Sequence, residues 1–397
     1  MRKIAIVLPA LLPVPAVRGG AVESIITNLI SQNEETPMFE FEIYSVWDPI
    51  AVRESEKYHH TKFHYYKANS SLEKFWNYIY RFLKKVFKIS VPDRLVRLKF
   101  VKELSKMDYD WVLYQAGEVF CLKAFSKWMV PEKTLVHAHG MITPIPEVDK
   151  YFAYYLPISD YVAKYWKSKS KRNPDTYKIW KNCIDLNKFS IDVSEQEKKE
   201  LCQKYKIQED DFVVIFTGRM IPEKGVLELI KSLDFIEEKN VKIILIGSAK
   251  FAEKTMTRYE HELISEINKH KNQIIQTGYL DNSVLYKYYA VADVAVVPSV
   301  WDEPAGLVLI EAMASGKMVI TTGSGGIKEY VDEETAIFVS NDNHLSESIA
   351  KEISHLVRNR NLLQASSSLC REKAQDYGMP AYLKNLEVLL KDIEGKC

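Results

Sequence analysis

Short, β-branched apolar runs alternate with longer stretches of helical period, and this alternation occurs twice along the chain. Each series reads as βα units, whose strands run parallel because a helix carries the chain back between them. The first series predicts strands at 4–8, 41–46, 111–114, 134–137 and 156–159. The second predicts them at 212–217, 242–246, 274–277, 294–298 and 318–321. Between the two lies the polar stretch 190–208, which predicts a linker running into a helix. The expected architecture is α/β: two facing Rossmann-like, doubly wound parallel-sheet domains with a cleft between them. An N-terminal domain is expected over 1–186, with a C-terminal helix at about 377–397 packing back on it, and a C-terminal domain over 187–376. Such sheets bind ligands at the carboxyl ends of their strands, so the chemistry is expected in the loops that follow them.

Composition supports two cores and excludes several classes of function. The 397 residues are 47% hydrophobic and 27% charged, and the formal net charge is +1. A chain so balanced has no overall basic field to hold nucleic acid. The balance conceals a polarity: residues 1–186 carry 28 basic and 20 acidic side chains, which leaves the remainder seven negative. One domain is therefore expected to face an anionic surface or substrate. The five cysteines are odd in number, widely spaced and free of any C-x-x-C pair, which predicts neither a zinc site nor a disulfide framework. Arg2 and Lys3 precede an uncharged stretch, but Pro9, Pro13 and Pro15 interrupt it and no A-x-A site follows. No run approaches the ~18 apolar residues of a membrane span. A cytoplasmic location is expected, with any membrane contact peripheral.

Three passages carry candidate chemistry. After the first strand, Gly19 and Gly20 open an amphipathic helix, where glycine permits close backbone approach and the helix N-terminus offers free N–H groups to phosphate. An ordinary strand-to-helix turn is the alternative. After strand 212–217 comes Gly218-Arg219, followed by Lys224-Gly225, and the two cations can neutralise a diphosphate as it departs. After strand 294–298 come Ser299, Glu303, Ala305, Gly306, Leu307 and Glu311, with seven residues between the two glutamates. Glu303 falls in the loop and Glu311 lies in the helix that Gly306 opens, so one carboxylate can accept from sugar hydroxyls at the helix mouth and the other from a ribose further along. Asp108-Tyr109-Asp110 precedes a strand and reads as a surface turn, so no metal loop is expected.

On these motifs, together with Ser324-Gly325-Gly326-Ile327-Lys328-Glu329, the sequence resembles the nucleotide-sugar glycosyltransferases of the GT-B fold, glycosyltransferase family 4. The resemblance covers nearly the whole chain and is more specific in the second half. It implies a retaining transfer of a hexose from an NDP-sugar, UDP by family frequency, to a glycan or lipid-linked acceptor in surface polysaccharide or glycoconjugate synthesis, with no metal or other cofactor. It places Arg219 and Lys224 on the donor diphosphate, Glu303 on the sugar hydroxyls and Glu311 on the ribose. His139 matches the family's histidine at the donor sugar or acceptor, with His137 its rival. Ser299 and the loop of Gly278, Tyr279 and Leu280 match positions near the phosphate and base, and Gly247 and Ser248 end another strand. Ala305 stands where relatives often carry a bulky aromatic, and Cys183 replaces a frequent glycine. Competing readings are an NDP-sugar 2-epimerase on the same fold and a catalytically silent nucleotide-sugar-binding scaffold.

Residues 72–103 interleave cations (Lys84, Lys85, Lys88, Arg94 among them) with aromatic residues. Two readings stay open: an interfacial helix on an anionic membrane, or helices packed on the first sheet with their cations solvated. Nucleic acid is not an expected partner.

Overall fold

The computed structural model describes residues 1–68, 70–87, 90–115, 119–141, 146–247 and 257–395. The chain forms two compact units, Met1–Cys183 with Met379–Cys397, and Ile184–Gly378. Strands of the first unit are β1 (Arg2–Val7), β2 (Phe39–Val46), β3 (Thr61–Tyr66), β4 (Trp111–Gln115), β5 (Thr134–Ala138) and β6 (Tyr154–Pro157). Those of the second are β7 (Phe212–Thr217), β8 (Val241–Ile246), β9 (Ile274–Gly278), β10 (Val294–Val297), β11 (Val319–Thr321) and β12 (Ala336–Phe338). All pairings within both sheets are parallel. Two of these strands, β3 and β12, are absent from the sequence expectation. β3 is a half-exposed edge strand without a continuous apolar run, and β12 is an edge strand of only three residues, too short to mark a strand by itself.

The sheets share one topology. The first runs β3-β2-β1-β4-β5-β6 and the second β12-β11-β10-β7-β8-β9, which is the same order from its other edge. In each, the winding reverses between the first and fourth strands of the unit: between β1 and β4, and between β7 and β10. Neighbouring loops diverge at that switch point and leave a crevice. Both faces of each sheet are covered. Ile4, Ile6 and Leu8 enter one core and Ala5 and Val7 another, while Phe212, Val214 and Phe216 are separated from Val213 and Ile215 in the same way.

The last helix, Met379–Glu394, belongs to the first unit. Its Tyr382 ring stacks on Trp180 with centroids 4.2 Å apart, and Trp180 Nε1 donates to the Tyr382 carbonyl at 3.2 Å. Arg2 and Trp111 both donate to Glu394. Among the described residues no helix is long and apolar enough to cross a membrane. In the 72–103 stretch, Tyr80 and Phe100 are buried, but Phe75, Tyr78, Phe82 and Phe87 lie exposed, Tyr78 to 74%. Those four do not pack on the sheet. Lys88 lies outside the described residues.

The first sheet also buries a charge. Glu42 accepts hydrogen bonds from Tyr109 (2.7 Å) and His64 (2.7 Å) and pairs with Lys3 (2.8 Å). Burial raises its pKa, but the bonds from Lys3, Tyr109 and His64 outweigh that and hold it down at about 2. A carboxyl so lowered stabilises the fold above its unfolded pKa near 4.5, and the contribution is lost as pH falls toward 2. Glu42→Leu, which strands Lys3, should cost about 3–5 kcal/mol at pH 7 and less at pH 3, where part of the contribution is already lost. Urea unfolding at the two pH values tests this, and an equal loss at both would refute it.

Candidate active site of the second unit

The polar loops at the β7/β10 switch point are tied together by backbone before any side chain is considered. Gly225, at φ 66°, lies so close to Pro298 that a Cβ would fall 1.8 Å from the Pro298 carbonyl oxygen. Only glycine satisfies both demands. The Val300 N–H donates to the Glu223 carbonyl at 3.1 Å, which fastens the post-β10 loop to the post-β7 turn. On the other side, Glu303 bridges to Gly325 as a short parallel pair, and Gly326 N–H donates to the Glu303 carbonyl at 2.7 Å. Here too a Cβ on Gly325 would strike the Glu303 backbone, 2.4 Å from its oxygen.

This scaffold brings Lys224 and Glu303 together. Lys224 Nζ is paired with Glu303 Oε1, and Ser299 Oγ donates to the same oxygen at 2.7 Å. Ser299 is fully buried, and its hydroxyl positions the carboxylate. Trp301 lies beside the ammonium, 5.9 Å from ring centroid to Nζ. Arg219 is exposed, and among the described residues no carboxylate pairs with it. The helix Leu307–Ala314 begins at Gly306 with no side-chain cap, so its first N–H groups are open to an acceptor. Ala305 and Leu307 flank that opening and are half-buried.

Glu311 faces a different environment. It is 9% exposed, and no hydrogen bond or ion pair reaches its carboxylate among the described residues. Burial alone pushes it up to about 7. A carboxylate desolvated without compensation is poised to accept from hydroxyl donors.

The ends of β7, β8 and β9 complete this edge. Gly218 N–H donates to the Ile246 carbonyl at 3.0 Å and Gly247 N–H to the Gly278 carbonyl at 2.9 Å. Tyr279 projects into solvent at 75% exposure, and Leu280 packs partly on the core. Ser248 lies outside the described residues. Asp234, Glu266 and His270 could together hold a metal ion, but they sit at the amino end of β9, with Lys269 already paired to Asp234. They are remote from this site.

In the first unit, His139 follows β5. Its Nε2 lies 2.9 Å from Gln115 Oε1 and its Nδ1 3.2 Å from Asn182 Oδ1. Burial pushes His139 down to about 4, against the bond to Asn182, so the ring is neutral near pH 7. A neutral imidazole donates through one nitrogen only, so one of the two amides must turn its NH2 toward the ring. His137 is completely buried, packed between His139 and Trp180 at 4.1 and 4.5 Å; it is a core histidine of the strand. Gly19 and Gly20 do adopt positive φ, 74° and 100°. The anion at that helix start is the chain's own Glu23, whose Oε2 would lie 2.3 Å from a Cβ on Gly20.

Residues 197–374 match the family model for glycosyl transferases group 1. An uncharacterized glycosyltransferase of Methanocaldococcus jannaschii is 33% identical over 161 residues, 40% of each chain. The Staphylococcus aureus capsular polysaccharide biosynthesis glycosyltransferase CapM is 28% identical over 223 residues, 54% of this chain and 55% of that one. The chain thus spans two fifths and just over half of these relatives' lengths. A crystal structure of Anabaena HepE in complex with UDP-glucose superposes with a TM-score of 0.71 at 18% identity, covering 99% of this chain and 100% of that one. That likeness establishes the two-domain Rossmann-like fold.

The isolated carboxyl of Glu311 has a measurable consequence. Below its ordinary pKa of 4.5 it is protonated in folded and unfolded chains alike and costs nothing; as pH rises through about 7, its desolvation penalty develops in full. Glu311→Gln should therefore match the parent at pH 4 and exceed its stability by about 2–3 kcal/mol at pH 8. Urea unfolding across that range tests it. No gain at pH 8 would mean that the carboxylate is compensated after all.

Proposed function

From the glycosyltransferase group 1 domain at residues 197–374, we propose that the chain is a retaining, metal-independent glycosyltransferase of family 4. It moves a hexose from a UDP-sugar to a glycan or lipid-linked acceptor in surface polysaccharide synthesis. The observation that carries this reading is the cluster of Lys224, Glu303 and Ser299 beside the uncapped start of helix Leu307–Ala314, with the unpartnered Glu311 four residues into that helix. UDP-glucose in HepE and capsular polysaccharide synthesis by CapM favour the donor and the pathway class.

The bond broken joins the anomeric carbon to a diphosphate oxygen, so the barrier falls when negative charge on the departing group is stabilised. Arg219, Lys224 and the amides following Gly306 supply that stabilisation. Lys224 is held by Glu303 in the free protein, and a donor diphosphate competes for it, freeing Glu303 to accept from the sugar hydroxyls. Glu311 accepts from the ribose. The acceptor hydroxyl attacks the face that the diphosphate leaves, and its proton passes to the departing phosphate oxygen. His139 positions donor or acceptor as a neutral ring.

Because ribose hydroxyls favour the ionised form of Glu311, UDP binding releases a proton near pH 7, and affinity should rise between pH 6 and 8. Calorimetry in buffers of different ionisation heat reads this directly, and Glu311→Gln should reduce the slope to that of the UDP phosphate itself. Lys224→Ala should lower kcat on the order of a hundredfold, activity should survive EDTA, and the product should keep the donor's anomeric configuration by proton NMR. An inverted product refutes the mechanism.

The exposed Phe75, Tyr78, Phe82 and Phe87 beside Lys84 and Lys85 favour a peripheral stay on an anionic membrane. Phosphatidylglycerol vesicles should sediment the protein in a salt-sensitive manner, and Phe75→Ser with Tyr78→Ser should weaken that. A parent chain that ignores such vesicles at low salt refutes the membrane reading.

A further inference from the structure

A polar cavity lies in the first unit, at the carboxyl end of β1. A cavity of about 490 Å3 is lined by Pro9, Leu11, Asn77, Tyr80, Arg81, Lys84, Lys85, Asp93 and Arg94. The volume falls within the ~300–1,000 Å3 of small-ligand sites. Four of these side chains are cations and one is a carboxylate. That carboxylate is committed elsewhere: Asp93 Oδ2 pairs with the fully buried Arg97 at 2.5 Å, and its Oδ1 accepts from the Arg94 backbone N–H at 3.0 Å. Among the described residues, no carboxylate pairs with Arg81, Lys85 or Arg94. Cations so placed repel one another, and an anion between them would remove that cost.

The cavity is built rather than incidental. The Glu73 carboxylate accepts from the backbone N–H groups of Val96 (2.9 Å) and Leu95 (3.3 Å), and Trp76 Nε1 donates to the Pro92 carbonyl at 2.8 Å. These bonds clasp helix Ser70–Phe82 to helix Leu95–Leu104, which fixes Arg81 and Arg94 on a common wall. The lining also passes a strained backbone: Ala10, between the lining residues Pro9 and Leu11, sits at φ 62°, a conformation unfavourable to a non-glycine residue that gathers at functional sites. On helix Ser70–Phe82, Asn77, Tyr80 and Arg81 line the cavity, while Phe75, Tyr78 and Phe82 occupy the other, exposed face.

We propose that this cavity seats a phosphoanion, a phosphate or diphosphate carried by the acceptor, with Arg81, Lys85 and Arg94 as its ligands. Arginine suits the role, because its planar fork binds phosphate oxygens in pairs. The assignment to the acceptor rests on the glycosyltransferase function proposed for the chain; the anion site rests on the cavity alone.

The test uses the full chain with UDP saturating the second unit and inorganic pyrophosphate as probe, by calorimetry at low salt. The parent should bind one further pyrophosphate. Arg81→Ser with Arg94→Ser should weaken it tenfold or more at unchanged UDP affinity, and the double lysine variant should recover part of the loss. No binding by the parent, or equal binding by the serine variant, overturns the site. If UDP fails to bind, the function proposed above falls, and the parent-against-variant comparison without UDP still decides the cavity. Phosphatidylglycerol vesicles separate the two sources of phosphate. Sedimentation that survives the serine pair keeps the anion with the acceptor; sedimentation abolished by that pair, with pyrophosphate competing, gives it to bulk lipid and overturns the acceptor assignment.

Discussion

A parallel sheet buried on both faces leaves polar chemistry only at the ends of its strands. The second sheet obeys that constraint, whereas the first carries the Glu42 cluster within its strands. The β7 and β10 segments are almost wholly apolar, and the first charged side chains appear in the loops beyond them, at Arg219, Lys224 and Glu303. The reversal of winding between β7 and β10 sets those loops side by side. The first unit repeats the arrangement, with Pro9–Leu11 after β1 and Gln115 closing β4.

What the topology brings near, backbone contacts then fix. Gly225 against Pro298, and Gly325 against Glu303, leave no room for a Cβ, so the post-β7 turn, the post-β10 loop and the 322–326 segment behave as one body. An ion pair between flexible surface chains contributes little. Lys224 and Glu303 spring instead from backbones that cannot drift, and Ser299 locks the carboxylate from beneath. Such preorganisation matters more to a charged site than the number of charges in it.

Much of this was legible in the sequence because it is written contiguously. The span from Ser299 to Glu311 carries strand end, loop, helix start and both carboxylates within thirteen residues, and the apolar runs announce ten of the twelve strands. The rest depended on encounters between distant segments. Lys224 and Glu303 are 79 residues apart, and no local pattern announces that each is the other's partner. Glu23 gave no sign that it would fold over the glycine pair expected to hold a ligand. For Phe75 and Tyr78 an interfacial face and packing on the first sheet both stayed open, since hydrophobicity does not tell which face of a helix a sheet will cover.

The return of helix Met379–Glu394 to the first unit bears on the order in which the chain can fold during synthesis. Trp180, Tyr382 and Leu386 belong to one core, and Arg2 at the chain's start is tied to Glu394 near its end. The first unit therefore lacks a wall until the final helix has left the ribosome. The second unit has its whole sequence earlier. Ile184–Gly378 is 195 residues of chain, roughly 10–40 s of translation at ~5–20 residues per second, and for that time the half made first must wait, its apolar face open, for the half made later.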